Sequence, residues 1–102
     1  MSLANVTLGA TETTILTCAN AGGSAVKALF ITNTDSVARD VTLHVCPAGE
    51  AAADENLIMD AESVPAGDTI KVEGLLLANA DVVSGLASAG AVVVVSASYL
   101  DL

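Results

Sequence analysis

The chain has 102 residues and a net charge of −9 from three basic and twelve acidic side chains, and it is 53% hydrophobic but only 2% aromatic. This length and apolar content fit one folded domain, residues 1–102, and exclude an intrinsically disordered chain. The acidic excess disfavours nucleic acids and anionic membranes as partners, because both would repel the chain. The small size disfavours an enzyme with a deep catalytic cleft, and we expect no enzymatic activity.

Short runs of Val, Ile, Leu and Thr recur about every ten residues, as in sandwiches and barrels, and each ends at Gly, Pro, Asn, Asp or Ser. The pattern predicts an all-β protein, a single antiparallel β-sandwich or jelly-roll-like domain of about eight short strands. The runs place strands at residues 4–8, 13–18, 26–32, 40–46, 56–59, 68–73, 75–78, 82–87 and 91–99. Only the alanine-rich residues 49–56 favour a helix, of one or two turns.

Two segments carry more specific expectations. Alternation within residues 41–46 puts Val41, Leu43 and Val45 on one face of a strand, and we predict that this face is the core. Residues 64–67, Val-Pro-Ala-Gly, suit a type I turn with proline in its second position and glycine in its fourth. The chain should therefore reverse direction before the run at 68–73.

Residues 28–31 are apolar on both faces of the predicted strand. Leu29, Phe30 and Ile31 therefore include side chains that a second sheet, a loop or another subunit must cover. Because a second subunit is the economical explanation, we predict that these three residues belong to a partner interface and that the chain forms an oligomer.

Acidic residues cluster between positions 50 and 62 without an intervening base. Carboxylates can ligate a hard cation such as Ca²⁺, but the spacing does not match an EF-hand loop. A solvated acidic segment that meets a basic patch on a partner is the favoured interpretation. We therefore predict no metal site, and we predict a partner interface that includes Glu50, Asp54, Glu55, Asp60 and Glu62.

Few residues could support catalysis or cofactor binding. His44 is the only histidine. One chain therefore cannot supply both the base of a Ser-His-Asp arrangement and a second histidine ligand, and it cannot form a multi-histidine metal site. Cys18 and Cys46 are too few for a disulfide framework, and we expect both to stay reduced. The first residues lack a basic signal region, which predicts synthesis in the cytoplasm. The longest apolar stretch, residues 89–100, is too short to span a bilayer. We expect no catalytic residue and no cofactor.

The order of strands and turns along the chain resembles the small β-sandwich virion proteins of tailed bacteriophages, a group that includes capsid decoration (cement) proteins. The shared elements are an Asn-Thr-Asp turn at 33–35 after an apolar strand, a Pro-x-Gly turn at 65–67, an Asn-Ala-Asp turn at 79–81 and a Val-rich last strand. Ala80 stands where a glycine would make the third turn more typical. The similar segments are residues 6–8, 13–16, 28–35, 41–45, 64–69, 75–83 and 98–101.

This resemblance implies a decoration protein that binds the outer surface of the head, stabilises the lattice of the major capsid protein and associates with itself as a homotrimer. Two alternatives stay open: a neck or tail structural subunit of the virion, and a small adhesin-like module that binds a host surface molecule. No catalytic residue is shared with the group. Copy number separates the first two, because a decoration protein scales with the coat protein, whereas a neck or tail part follows the symmetry of that ring.

Overall fold

The computed structural model describes residues 2–102, which form eight β-strands and a single turn of 3-10 helix. The strands make two antiparallel four-stranded sheets packed together, so the predicted β-sandwich is confirmed. No helix among these residues is long and apolar enough to cross a membrane. In chain order the elements are β1 (Ser2–Leu8), β2 (Thr13–Thr17), β3 (Ser24–Asn33), β4 (Arg39–Cys46), the 3-10 turn (Asp54–Asn56), β5 (Leu57–Val64), β6 (Thr69–Leu77), β7 (Val82–Ala87) and β8 (Val93–Asp101).

Sheet A has the strand order β1-β8-β3-β6, and sheet B has the order β2-β7-β4-β5. The first and last strands pair along their length, from Ser2 opposite Tyr99 to Leu8 opposite Val93. β8 is the only neighbour of β1, so β1 is one edge of sheet A, and β6 is the other edge. Sheet B ends in β2 and β5.

The core between the sheets consists of aliphatic side chains, as the scarcity of aromatic residues requires. The alternation predicted for β4 is confirmed, because Val41 and Leu43 are fully buried and Val45 packs against the core. On the opposite face of β4, His44 and Cys46 are also buried, whereas Asp40 is exposed. The fully buried apolar side chains are Leu8, Leu29, Ile31, Val41, Leu43, Val64, Val83, Val93, Val95 and Ala97.

Three local predictions need correction. The runs at 68–73 and 75–78 form one strand, β6, which continues through Gly74 because glycine accepts the positive φ of 81° there. The strand predicted at 56–59 runs on to Val64. The turn near 65 closes from Asp68 N–H to Pro65 O at 3.1 Å. Proline is therefore its first residue, and Gly67, with φ of 74°, is its third.

Asn33 joins two turns at one end of the sandwich. Its side chain is fully buried, and Nδ2 donates to Val37 O at 2.8 Å and to Val64 O at 3.0 Å. Its Oδ1 accepts the backbone N–H of Asp35 at 2.9 Å. One amide thus fixes both the β3–β4 turn and the end of β5, and it satisfies backbone groups that burial would otherwise leave unpaired.

Candidate interaction surfaces

The first candidate surface is the outer face of sheet A, meaning the side chains of β1, β8, β3 and β6 that point away from sheet B. The strand register places Asn5, Ser96, Phe30 and Lys71 in one row across the four strands. Phe30 is therefore near the middle of the face. The neighbouring rows contain Leu3, Ser98, Ala28 and Glu73 on one side and Thr7, Val94, Thr32 and Thr69 on the other.

This face carries most of the large hydrophobic side chains that are exposed among residues 2–102. Seven large hydrophobic side chains are exposed among residues 2–102, and four of them lie here. They are Leu3, Phe30, Leu76 and Leu100, of which Leu76 is the most exposed at 76%. Leu76 and Leu100 are both opposite Ala25, so they lie side by side across β3. Exposed apolar side chains that share one face are typical of interaction sites.

A groove of about 420 Å³ opens at one end of the face, between β3 and β6. It forms where both strands are irregular: the register skips Lys27 in β3, and β6 contains Gly74 with positive φ. Ala25 and Leu76 contribute apolar walls, and Lys27 and Glu73 contribute charged ones. The groove can accept a small apolar side chain from a partner, with a charge of either sign beside it.

Charge is distributed unevenly over the molecule. Lys27 and Lys71 belong to this face, and Lys71 Nζ lies 3.3 Å from the carboxylate of Glu73. The outer face of sheet A therefore contains two of the three basic residues and one of the twelve acidic ones. The remaining eleven acidic side chains and Arg39 are distributed over the rest of the chain. The outer face of sheet A is thus nearly neutral on a strongly acidic protein.

Arg39 itself is occupied by Asp35. Its Nε donates to Asp35 Oδ2 at 2.8 Å, and Nη2 lies 2.6 Å from the same oxygen. The hydrogen bond from Arg39, followed by that from the backbone N–H of Ser36, holds the pKa of the Asp35 carboxyl below its usual value.

The second candidate surface is the acidic segment, residues 50–62. All five predicted acidic residues are exposed, in the loop, in the 3-10 turn and along β5. None of them forms an ion pair with a residue in the range 2–102. Since β5 is the edge of sheet B, this segment also presents unpaired backbone groups, and Ile58 is 41% exposed within it. The residues are Glu50, Asp54, Glu55, Asp60 and Glu62.

The structure corrects the interface predicted for Leu29, Phe30 and Ile31. Leu29 and Ile31 are fully buried, because β3 is a central strand and these residues point into the core. They are therefore not accessible to a partner, and their assignment to an interface is withdrawn. Phe30, between them, points outwards and is 41% exposed. The sequence correctly indicated that both faces of β3 are apolar here, but sheet B covers the face that contains Leu29 and Ile31.

His44 has a neighbour that the sequence did not indicate. Its Nδ1 lies 2.6 Å from Glu12 Oε1, in a contact that lacks hydrogen-bond alignment. Sequence reasoning missed Glu12 because 32 positions and two strands separate it from the histidine. Within residues 2–102 no three His, Cys, Asp or Glu side chains come together as a possible cation site.

Cys18, Ser24 and Asp101 form a short polar chain beside a cavity of about 170 Å³. The hydroxyl of Ser24 donates to Asp101 Oδ1 at 2.8 Å, and it lies 3.2 Å from Cys18 Sγ. The hydroxyl proton is directed to the carboxylate, and the thiol has two acceptors within reach, the Ser24 hydroxyl and, at 3.7 Å, Asn20 O. Cys18 and Ser24 are buried. The chain links β3 to β8, and its one carboxylate contacts the Ser24 hydroxyl, not the thiol that a catalytic base would have to reach.

The arrangement therefore offers a neutral apolar face and an acidic edge, on different sheets. Comparison of the chain with protein-family models, with curated proteins and with solved structures found no match.

Proposed function

We propose that this chain is a capsid decoration protein of a tailed bacteriophage, which binds the outer surface of the head and stabilises the lattice of the major capsid protein. The proposal draws on the order of strands and turns described above and on the fold that accompanies it. The observation that carries it furthest is the acidic segment: five exposed carboxylates without ion-pair partners within residues 2–102, two of them on the edge strand β5 and three in the loop and 3-10 turn before it. Such a surface fits a partner protein that presents basic side chains.

Attachment through this edge combines two kinds of interaction. Backbone groups of β5 are free on its outer side and can add a strand from the coat protein, which supplies affinity without a deep pocket. The carboxylates of Asp60 and Glu62, on the same strand, attract basic residues and set the orientation. Exposed Ile58 adds apolar contact near the start of this strand.

The net charge supports a position outside the shell. A subunit in contact with packaged DNA would experience a strongly negative potential, and a chain of net charge −9 has only three basic side chains to offset it. On the outer surface the same charge limits aggregation of particles.

Stoichiometry is the first test. Purified particles should contain the chain in hundreds of copies, in a fixed ratio to the major coat protein, because a decoration protein follows the symmetry of the shell. About a dozen copies, or antibody labelling confined to the tail, would replace this proposal with the neck or tail alternative. The resemblance implies a homotrimer, and the mass of the free protein in solution measures that number.

A charge reversal tests the binding surface. Glu62→Lys should weaken binding to undecorated heads at least tenfold and should reduce its dependence on salt, because a rim charge acts mainly through screened electrostatics. Asp68→Lys is the matched control, since Asp68 is also exposed but lies in the turn before β6. Equal effects of the two substitutions would remove the acidic edge from the binding site.

A further inference from the structure

We infer that a second copy of this chain covers the outer face of sheet A, and that the free protein is a dimer with a two-fold axis near Phe30. This inference does not depend on the proposed function, since it concerns the protein alone. It begins from the four exposed large side chains Leu3, Phe30, Leu76 and Leu100, which share that face.

The area of the face reaches the lower limit for a specific pair. Four strands spaced by about 4.8 Å, each with about eight residues at about 3.3 Å, give a surface of roughly 20 Å by 26 Å, or about 500 Å². Two such faces bury about 1,000 Å² in total, which is the lower limit for a specific interface. Relief of the side chains and the groove beside Leu76 increase the accessible area above this flat estimate.

The nearly neutral charge of this face favours a second copy of the chain as the partner that covers it. Two chains of net charge −9 repel each other wherever acidic surfaces meet. The outer face of sheet A is the region with two lysines and one glutamate, so stacking through it keeps the acidic segments apart. A basic partner would instead be attracted to those segments. A second copy is therefore the occupant that the neutral face fits best.

The face is also compatible with itself under two-fold symmetry. Most of its other side chains are small or uncharged, including Ala28, Ser96 and Ser98, so two sheets can approach at the spacing of about 10 Å usual for stacked sheets. In an isologous interface each contact occurs twice. A two-fold axis that crosses the strands between the row of Phe30 and the row of Ala28 would place Lys71 of each copy opposite Glu73 of the other. A flat face that stacks on its own copy is satisfied by two chains, so it predicts a dimer rather than the trimer that the resemblance implies.

Sedimentation equilibrium of the purified protein tests the inference. The wild-type chain should behave as a species of about 20 kDa, twice its 10.1 kDa. Phe30→Glu should raise the dimer dissociation constant at least about a hundredfold, because the two-fold axis puts two carboxylates into the buried centre. Ile58→Glu is the matched control, since Ile58 is also on a strand and is also 41% exposed, but lies in sheet B. It should leave the dimer intact.

A second variant keeps the test decisive if Phe30→Glu fails to fold. Leu76→Glu changes a side chain that is 76% exposed on the same face, so it should fold and still dissociate the dimer. Circular dichroism and thermal melting verify folding of each variant. A wild-type monomer, a wild-type trimer, or a dimer that only Ile58→Glu dissociates would each overturn the inference.

Discussion

Replacement of the buried Asn33 by aspartate tests whether one amide fixes the end of the sandwich. Asn33→Asp preserves the size of the side chain and keeps an acceptor for the N–H of Asp35. It removes the two short hydrogen bonds that Nδ2 donates, at 2.8 Å to Val37 O and at 3.0 Å to Val64 O, and a long one at 3.5 Å to Pro65 O. A negative oxygen would then face two carbonyl oxygens in a site with no solvent access.

The expected loss follows from these contacts. Each carbonyl left without a donor costs about 1–3 kcal/mol, and burial of the unpaired charge adds to this. We expect the free energy of unfolding to fall by about 3–5 kcal/mol, a large part of the total of about 5–15 kcal/mol for a small domain. At about 4–8 °C per kcal/mol, the melting temperature should decrease by about 12–40 °C.

Thermal and urea unfolding at neutral pH measure this loss. Asn79→Asp is the control, because it introduces the same charge at an exposed position in the turn between β6 and β7. Acidification should recover part of the stability of Asn33→Asp, since a protonated carboxyl regains one donor. If both variants melted within about 3 °C of the wild type, less than 1 kcal/mol would separate them. The hydrogen bonds of Asn33 would then not hold this end together.

Three other predictions concern single sites. Ala80→Gly should raise the free energy of unfolding by about 0.5–1 kcal/mol. Ala80 has φ of 71°, and a left-handed alanine costs about 1–2 kcal/mol, but the greater freedom of glycine in the unfolded chain offsets part of this gain. An unchanged or lower urea midpoint would contradict this prediction. Cys18 and Cys46 are free and buried, so without reductant both should alkylate rapidly after denaturation but slowly before it, and a mass with neither thiol labelled would refute the prediction. Arg39→Ala should raise the pKa of Asp35 towards its usual value in an NMR titration. The contribution of this carboxylate to wild-type stability should be present above its unfolded pKa and be lost as the pH falls through its lower folded pKa. An unchanged Asp35 titration would contradict the assigned cause.

The strand layout was accessible from the sequence because each signal involved is local. Alternation on β4 identified Val41 and Leu43 as core residues, and turn residues separated nearly all of the strands. The division of β6 was wrong because glycine usually interrupts a strand, whereas Gly74 takes a positive φ within a continuous one. Local patterns report the conformational preference of a residue and carry no information about the strand opposite it.

The surfaces were less accessible because they depend on long-range pairing. The sequence showed that Leu29, Phe30 and Ile31 are apolar in succession, but the second sheet covers only alternate ones. Leu3 and Leu100 come from opposite ends of the chain and reach the same face only because β1 and β3 both pair with β8. The acidic segment was found directly because its residues are close in sequence.

The two proposed surfaces have a joint consequence for attachment. If two copies stack through sheet A, both copies of sheet B lie on the outside, about 30 Å apart across four layers. A dimer then presents two acidic edges and can engage two sites of a repeating lattice, so the second contact forms at a high effective concentration. Phe30→Glu, which does not alter the acidic edge, should therefore weaken binding to undecorated heads by at least about tenfold through loss of the second contact. Ile58→Glu should leave the dimer intact but perturb the edge itself. If Phe30→Glu dissociated the dimer in solution but bound heads as tightly as the wild type, each copy would attach independently, and self-association would have no role in attachment.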